Sequence, residues 1–350
     1  MNTIPTTFND MLPSYTAVGG TERKASTGLS AVILNRGGRY QRHSLFEELG
    51  KAGFDYILSM EGSVTRYDLE TLSRDFPSVR FILIKGPLSP GEEINIAAAE
   101  LSSPLFFVLW NDMRILRGGR AERMAERLLS PGAAQGGEQK NPYKRLCTVP
   151  LIQDGRAETM PTLITPALIS EKRSVPAIKT IPFFPRGEGF PSLYPYDGIG
   201  MYDRKRFMLL GGFDPSIKSF HWQLMDFGFR SRLWGESIAA TPLVKLTYEG
   251  AIPQEDGTAE SGYKRFFLKN LAPVFRGDYA HIPLRRFPWY YRNMGSDLSS
   301  AWEEFSAARE WVNVNRYRFT SDARTIVERW ESVDGGSETG TDDTPAEDTK

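Results

Sequence analysis

The sequence predicts an α/β fold, a three-layer sandwich with a mostly parallel central sheet and a helical C-terminal extension. Two observations carry this prediction. Short apolar runs alternate with amphipathic segments through the first half of the chain, the order that βαβ units produce. One run, Leu105-Phe106-Phe107-Val108-Leu109-Trp110, is apolar at every position, as a strand covered on both faces must be, and it stops at Asn111-Asp112. A buried strand that ends in a carboxylate delivers that charge to the crevice where open α/β sheets bind ligands.

Leu29 to Leu34 reads as the first strand, and Tyr40 to Lys51 as a helix whose Leu45, Phe46 and Leu49 share a face. Phe54 to Met60 is a second strand and Arg66 to Phe76 a helix. Val79 to Ile84 is a third strand, Gly91 to Leu101 a helix, and Leu105 to Trp110 the fourth strand. A charged helix, Arg120 to Leu129, runs into a Gly-rich stretch that reads as a surface excursion up to Asn141. Strand patterns return at Leu146 to Ile152 and around Thr162 to Ile169. The Pro- and aromatic-rich segment Pro176 to Tyr196 reads as a long loop over a cleft, because proline cannot donate to a sheet ladder. Asp203 to Leu210 and His221 to Trp234 are helical in pattern. The turn between them, Gly211-Gly212-Phe213-Asp214-Pro215, has the glycine a left-handed helix end needs and inserts Phe213 into the core. Strands near Ser237 to Tyr248 precede a helical, aromatic region that runs to about Trp330.

With 40% hydrophobic and 25% charged residues over 350 positions, the chain can bury a full core. Its 43 Lys+Arg balance 43 Asp+Glu, yet Glu331 to Lys350 holds seven acidic residues against one Lys. The remaining body therefore carries about +6, which suits an anionic ligand such as a nucleotide diphosphate and is too scattered for nucleic acid. The single Cys147 excludes an internal disulfide and reads as a buried strand residue. Met1 to Gly28 lacks the basic-then-apolar order of a signal peptide, and no stretch approaches the roughly 18 apolar residues of a transmembrane segment. These features lead us to expect a cytoplasmic protein. His43, His221 and His281 lack metal-binding spacing, and neither a P-loop nor a Gly-x-Ser-x-Gly elbow occurs.

Five segments in order carry a resemblance: Ser30-Ala31-Val32-Ile33-Leu34-Asn35-Arg36, Met60-Glu61-Gly62-Ser63, Trp110-Asn111-Asp112, Leu210-Gly211-Gly212-Phe213-Asp214, and Gln223-Leu224-Met225-Asp226-Phe227-Gly228-Phe229-Arg230. Together they resemble the family 2 glycosyltransferases of GT-A type, diverging at the Asp-x-Asp and Glu-Asp-x-Asp motifs. The resemblance implies a GT-A type three-layer α/β/α sandwich over 28–250, with a nucleotide-binding half at 28–117 and an acceptor half at 145–250. Residues 1–27 are then a flexible N-terminus, 251–330 a helical aromatic-rich region, and 331–350 a disordered acidic tail.

The activity implied is inverting transfer of a sugar from a nucleotide-sugar donor to a glycan or lipid-linked acceptor, of the kind used in cell-surface glycan biosynthesis. A catalytically degenerate nucleotide- or glycan-binding protein of the same fold is the alternative, because Gln223-Leu224 stands where the family has its Glu-Asp pair. Nucleotide-sugar contacts fall on Asn35, Arg36, Glu61, Ser63, Asn111 and Asp112, and acceptor contacts on Asp197 and Gly198. Plain turn, helix-entry and capping roles stay open for the same residues. Asp226 is the remaining candidate base, with Glu249, Glu255 and Asp256 as stand-ins; a structural acid is its other reading. The family implies a divalent cation, Mn or Mg, at Asp112. Trp110 or Asn111 replaces the first Asp of the motif and Thr247-Tyr248-Glu249-Gly250 carries no His, so Asp112 and Glu249 alone remain as metal ligands and a metal requirement is weakened.

Two later segments, Tyr263 to Lys269 and Leu284 to Arg292, interleave basic and aromatic residues. Peripheral contact with the inner face of a membrane and ordinary core packing of the rings both explain the pattern.

Overall fold

The structure is a computed structural model that describes residues 14–20, 28–37, 42–62, 69–116, 121–129, 144–169, 177–185, 187–253, 256–258, 261–294 and 297–334. Ser63 and Glu255 lie outside the described residues, as does the tail from 335.

The N-terminal half builds β1 (Tyr15–Gly19), β2 (Leu29–Leu34), α1 (Arg42–Lys51), β3 (Tyr56–Glu61), α2 (Leu69–Asp75), β4 (Val79–Ile84), α3 (Pro90–Glu100) and β5 (Leu105–Trp110). β2, β3 and β5 are buried at every residue, which explains why apolar residues dominate them, with Ser30, Ser59 and Glu61 as buried polar exceptions. β2 pairs in parallel with both β3 and β5, and β3 in parallel with β4. α3 begins with a capping box: the Ser89 hydroxyl accepts from the Glu92 backbone, the Glu92 carboxylate accepts from the Ser89 backbone, and Pro90 opens the first turn.

The chain continues through β6 (Met113–Ile115), α4 (Ala121–Leu129), β7 (Lys144–Gln153), β8 (Leu163–Leu168), β9 (Ile178–Phe183), β10 (Pro191–Ser192), β11 (Gly200–Asp203), α5 (Arg204–Leu210), α6 (Phe220–Leu233) and β12 (Glu236–Tyr248). One 10-stranded sheet results, in the order β1-β4-β3-β2-β5-β11-β7-β12-β10, with β6 paired to β12. β11 inserts antiparallel between β5 and β7, while β7 and β12 run parallel. The fold is thus α/β with a large, mostly parallel central sheet, as the sequence predicts. Cys147 is buried in β7, and Gly200 of β11 passes so close that an added Cβ would lie 2.6 Å from its Sγ.

Three expectations need correction. The segment 1–27 is not without structure: Tyr15-Thr16-Ala17-Val18 forms β1, an antiparallel edge strand on β4 with Ala17 and Val18 against the core. The Pro-rich stretch 176–196 is not a plain loop, for β9 pairs antiparallel with β8 and β10 with β12. A two-stranded ribbon has only edges, so Pro166 and Pro182 cost it little. The region after 250 is not all helical. α7 (Ser261–Phe266) and a π-helical turn, Phe267–Leu271, lead into a hairpin of β13 (Val274–Arg276) and β14 (Tyr279–His281) around Gly277 at φ 71°. α8 (Phe287–Met294), α9 (Leu298–Val314) and α10 (Ala323–Asp334) follow, so residues 331–334 extend a helix instead of starting the tail. No helix among the described residues is long and apolar enough to cross a membrane.

Candidate functional site

The parallel pairing of β2 with β5, which sets Leu34 opposite Trp110, brings two loops side by side at the carboxyl edge of the sheet. Asparagines lace them together. The Asn111 backbone N–H donates to the Leu34 carbonyl (2.9 Å), and its side-chain Nδ2 donates to Asn35 Oδ1 (3.0 Å) and to the Gly37 carbonyl (3.1 Å). Asn35 Oδ1 also accepts from the Gly37 backbone (2.9 Å), and Asn111 Oδ1 from that of Arg36 (3.3 Å). Both asparagines therefore shape the loop that presents Arg36.

Arg36 stands at the centre of the site. Its guanidinium lies 3.7 Å over the Trp110 ring, its Nε is 3.2 Å from Asp112 Oδ2, and Nη2 donates to Asp197 Oδ2. Asp197 reaches it from a 3-10 turn, Tyr196–Gly198, in which Asp197 has φ 54° and Gly198 φ 73°. The Asp197 carbonyl accepts from Trp110 Nε1 (2.9 Å), and its Oδ2 also accepts from the Tyr248 hydroxyl (2.9 Å). Gly198 leaves room for Phe220, whose ring would lie 2.9 Å from an added Cβ. Burial, aided by the charge of Asp112, lifts the Asp197 carboxyl to about 6 against the pull of Arg36 and Tyr248. Asp112 is 2% exposed; burial pushes its carboxyl up and Glu249 adds to this, while Arg36 opposes it. Its Oδ1 is buried with no hydrogen-bond partner among the described residues.

Arg36 and Asp197 line a cavity of about 500 Å³ together with Trp110, Lys218, His221 and Leu224, and Pro253 and Thr258 add to its wall. Asp256, a stand-in base on sequence, lines it too.

Other predicted residues are placed elsewhere. Glu61 is fully buried, with Arg42 paired to its Oε1, the Ser59 hydroxyl donating at 2.8 Å and Asn35 Nδ2 at 3.4 Å. Its carboxylate braces the loop after β2 and does not line the cavity. Asp226 is likewise fully buried, and both its oxygens are engaged. Arg230 Nη2 donates to Oδ2 (2.7 Å), Asn270 Nδ2 donates to Oδ1 (2.8 Å), and Lys269 Nζ lies 3.1 Å from Oδ1. Burial pushes this carboxyl up, but Arg230 and Lys269 outweigh it and hold the group below the usual carboxylate range. With both oxygens buried and engaged, Asp226 fits the structural reading and not the base role. Gln223 is engaged as well: its Nε2 donates to Ser89 Oγ (2.8 Å) and its Oε1 accepts from Gly91 N (3.2 Å), fixing the start of α3.

Glu249 approaches Asp112 through its backbone, its N–H donating to the Asp112 carbonyl at 2.7 Å. Its carboxylate turns to Arg114 Nη1 at 2.8 Å. A resident divalent cation does not fit this donor set: Arg36 faces the Asp112 carboxylate, Arg114 takes that of Glu249, and the described residues hold no cluster of three His, Cys, Asp or Glu suited to a metal. Trp110 and Tyr248 are the site residues that sequence reasoning missed. The signal was present in Trp110, an aromatic at the strand end whose parallel neighbour, Leu34, lies two residues before Arg36.

No protein-family model matches the chain, and no curated protein matches its sequence. Solved structures do resemble it. GalNAc-T7 with UDP, GalNAc and Mn²⁺ superposes with a TM-score of 0.50 at 13% identity, over 82% of this chain and 57% of that one. TarS of S. aureus gives a TM-score of 0.45 at 11% identity, over 69% of this chain and 38% of that one. HddC from Yersinia pseudotuberculosis gives 0.34 at 13% identity, over 63% and 92%. The chain thus spans well under two thirds of the length of the first two. At such identities the likeness is one of fold: this chain has the GT-A-like α/β architecture.

Proposed function

We propose that the chain is a glycosyltransferase that moves a sugar from a nucleotide-sugar donor to a glycan or lipid-linked acceptor with inversion. The observation that carries this reading is the Arg36-Asp112-Asp197 cluster at the carboxyl ends of β2 and β5, whose Arg36 and Asp197 line a cavity of about 500 Å³ in a GT-A-like fold. In this reading the donor occupies the cavity against the Trp110 ring. Asp197 takes the base role: its carboxylate removes the proton from the acceptor hydroxyl as that oxygen bonds to the anomeric carbon and the nucleoside diphosphate departs. A carboxyl near 6 is a stronger base than an ordinary one and is still mostly ionised at neutral pH. Arg36 and Lys218 supply positive charge for the departing diphosphate. No step is routed through a metal.

A second reading has its own support. Leu224, aligned with the family's base, lines the cavity, as a binding protein that had lost catalysis would permit. The two separate in one experiment, release of nucleotide from a panel of nucleotide sugars, with and without Mn²⁺. Turnover of one donor that falls about 10²–10⁴-fold in Asp197→Asn, with nucleotide binding kept, supports transfer. Binding without release favours the degenerate protein, and absence of both defeats the two readings together.

A further inference from the structure

A second cavity, about 470 Å³, lies between the β13–β14 hairpin and α9, remote in sequence from the residues above. His281, Ser306, Arg309, Glu310, Asn313 and Arg316 contribute to its walls, and Glu310 is the one carboxylate among the described lining residues. His281 Nδ1 is buried with no hydrogen-bond partner among the described residues. Burial lowers the His281 pKa, and the charges of Arg276, Arg286, Arg285 and Arg309 lower it further. None of these arginines, nor Arg316, forms an ion pair with a described carboxylate. Two are fixed in place by backbone: Arg286 Nη1 donates to the Leu271 carbonyl (3.0 Å) and Arg309 Nε to that of Ile282 (3.1 Å). In the wall itself Arg309 and Arg316 outnumber Glu310, and two guanidiniums without a paired carboxylate suit an anion, with a geometry that favours phosphate.

The cavity wall continues into an apolar surface. Trp302, Ser306, Arg309 and Asn313 follow one another at helical spacing along a single stripe of α9. Trp302 is 46% exposed and packs edge-on to Phe287 at 4.9 Å, which in turn meets Tyr291 at 6.3 Å. Tyr291 and Leu284 are exposed as well. Rings and a leucine beside unpaired arginines match the headgroup layer of an anionic bilayer, where aromatic side chains sit among glycerol groups and cations meet phosphates.

We propose that this cavity binds the phosphate of an anionic lipid headgroup and that Leu284, Tyr291 and Trp302 seat in the adjoining interface. The site is independent of the reading of the Arg36 cleft. The test is co-sedimentation of the whole chain with vesicles of equal parts phosphatidylglycerol and phosphatidylcholine, against phosphatidylcholine alone. Binding is expected to the anionic vesicles only, to fall about fivefold in each of Arg285→Ala and Arg316→Ala, and to fall in Trp302→Ala. Arg123→Ala on α4, which removes the same charge elsewhere, should leave it unchanged; melting curves confirm that each variant is folded. Absence of vesicle binding, or an equal loss in Arg123→Ala, overturns the proposal. Calorimetry with inorganic pyrophosphate forms a further arm, and binding that Arg316→Ala abolishes, without vesicle binding, overturns the lipid assignment in favour of a soluble ligand at this cavity.

Discussion

Asp197 sits at φ 54°, a backbone conformation that side chains with a Cβ rarely adopt, and is kept there by the Trp110 indole, the Tyr248 hydroxyl and Arg36. Its carboxyl titrates near 6 instead of 3.8, so the folded state binds this proton more tightly than the unfolded one. That contribution to stability is full below about pH 4 and is lost as pH rises toward 6. Asp197→Asn should flatten this limb of the stability curve, measured by denaturant melts across pH 4–7. Turnover moves the opposite way under the transferase reading, rising with pH through about 6 as the base ionises; a profile flat over that interval excludes Asp197 as base. Asp226 makes a contrasting prediction. Its depressed titration adds stability above the ordinary carboxylate range, lost as pH falls through and below it. Asp226→Ala takes the paired carboxylate from buried Arg230 and leaves Lys269 with Asp214 alone, and should cost about 3–5 kcal/mol in a urea melt. Sequence reading singled out Asp112, Asp197 and Arg36 because each lies at a strand end or turn, and the fold brings the three together. It misplaced Asp226 because the partners that bury it, Lys269 and Asn270, are some forty residues on and only the folded chain brings them together.

Among the elements, the parallel strands were the most legible. β2, β4 and β5 match their sequence boundaries because strands covered on both faces leave few polar residues to blur the pattern, here Ser30 and Arg80 alone. β11 was not legible: it has four residues, and its antiparallel place between β5 and β7 depends on partners distant in the chain. The β8–β9 ribbon was hidden by prolines that edge pairing tolerates. α6 shows why a motif can keep its spacing and change its task. Nearly its whole length is buried, and Gly228 lets it approach the backbone before Tyr194, where an added Cβ would lie 2.5 Å from the Leu193 carbonyl oxygen. Gly228→Ala therefore forces helix and β10 apart, despite the better helix propensity of alanine. We expect a loss of roughly 1–3 kcal/mol by denaturant melting.

At the scale of the molecule, the region after 250 completes the core of the sheet domain. Lys269, delivered by the π-helical turn, pairs with Asp214 at 2.8 Å as well as with Asp226, and Arg265 adds a second contact to Asp214. A chain ending at Gly250 would leave both buried carboxylates short of cations, and we expect it to lack a cooperative thermal transition in calorimetry. The order of segments along the chain indicated the architecture, whereas the dependence of one region on another rests on side chains that no local pattern pairs. Arg36 joins distant parts in the same way, reaching Asp112 from the first half and Asp197 from the second while resting on an indole. That stack makes the cleft optically addressable. A ligand that draws the guanidinium from the ring alters the surroundings of Trp110, so tryptophan emission titrated with nucleotide should shift in the natural chain and stay level in Trp110→Phe.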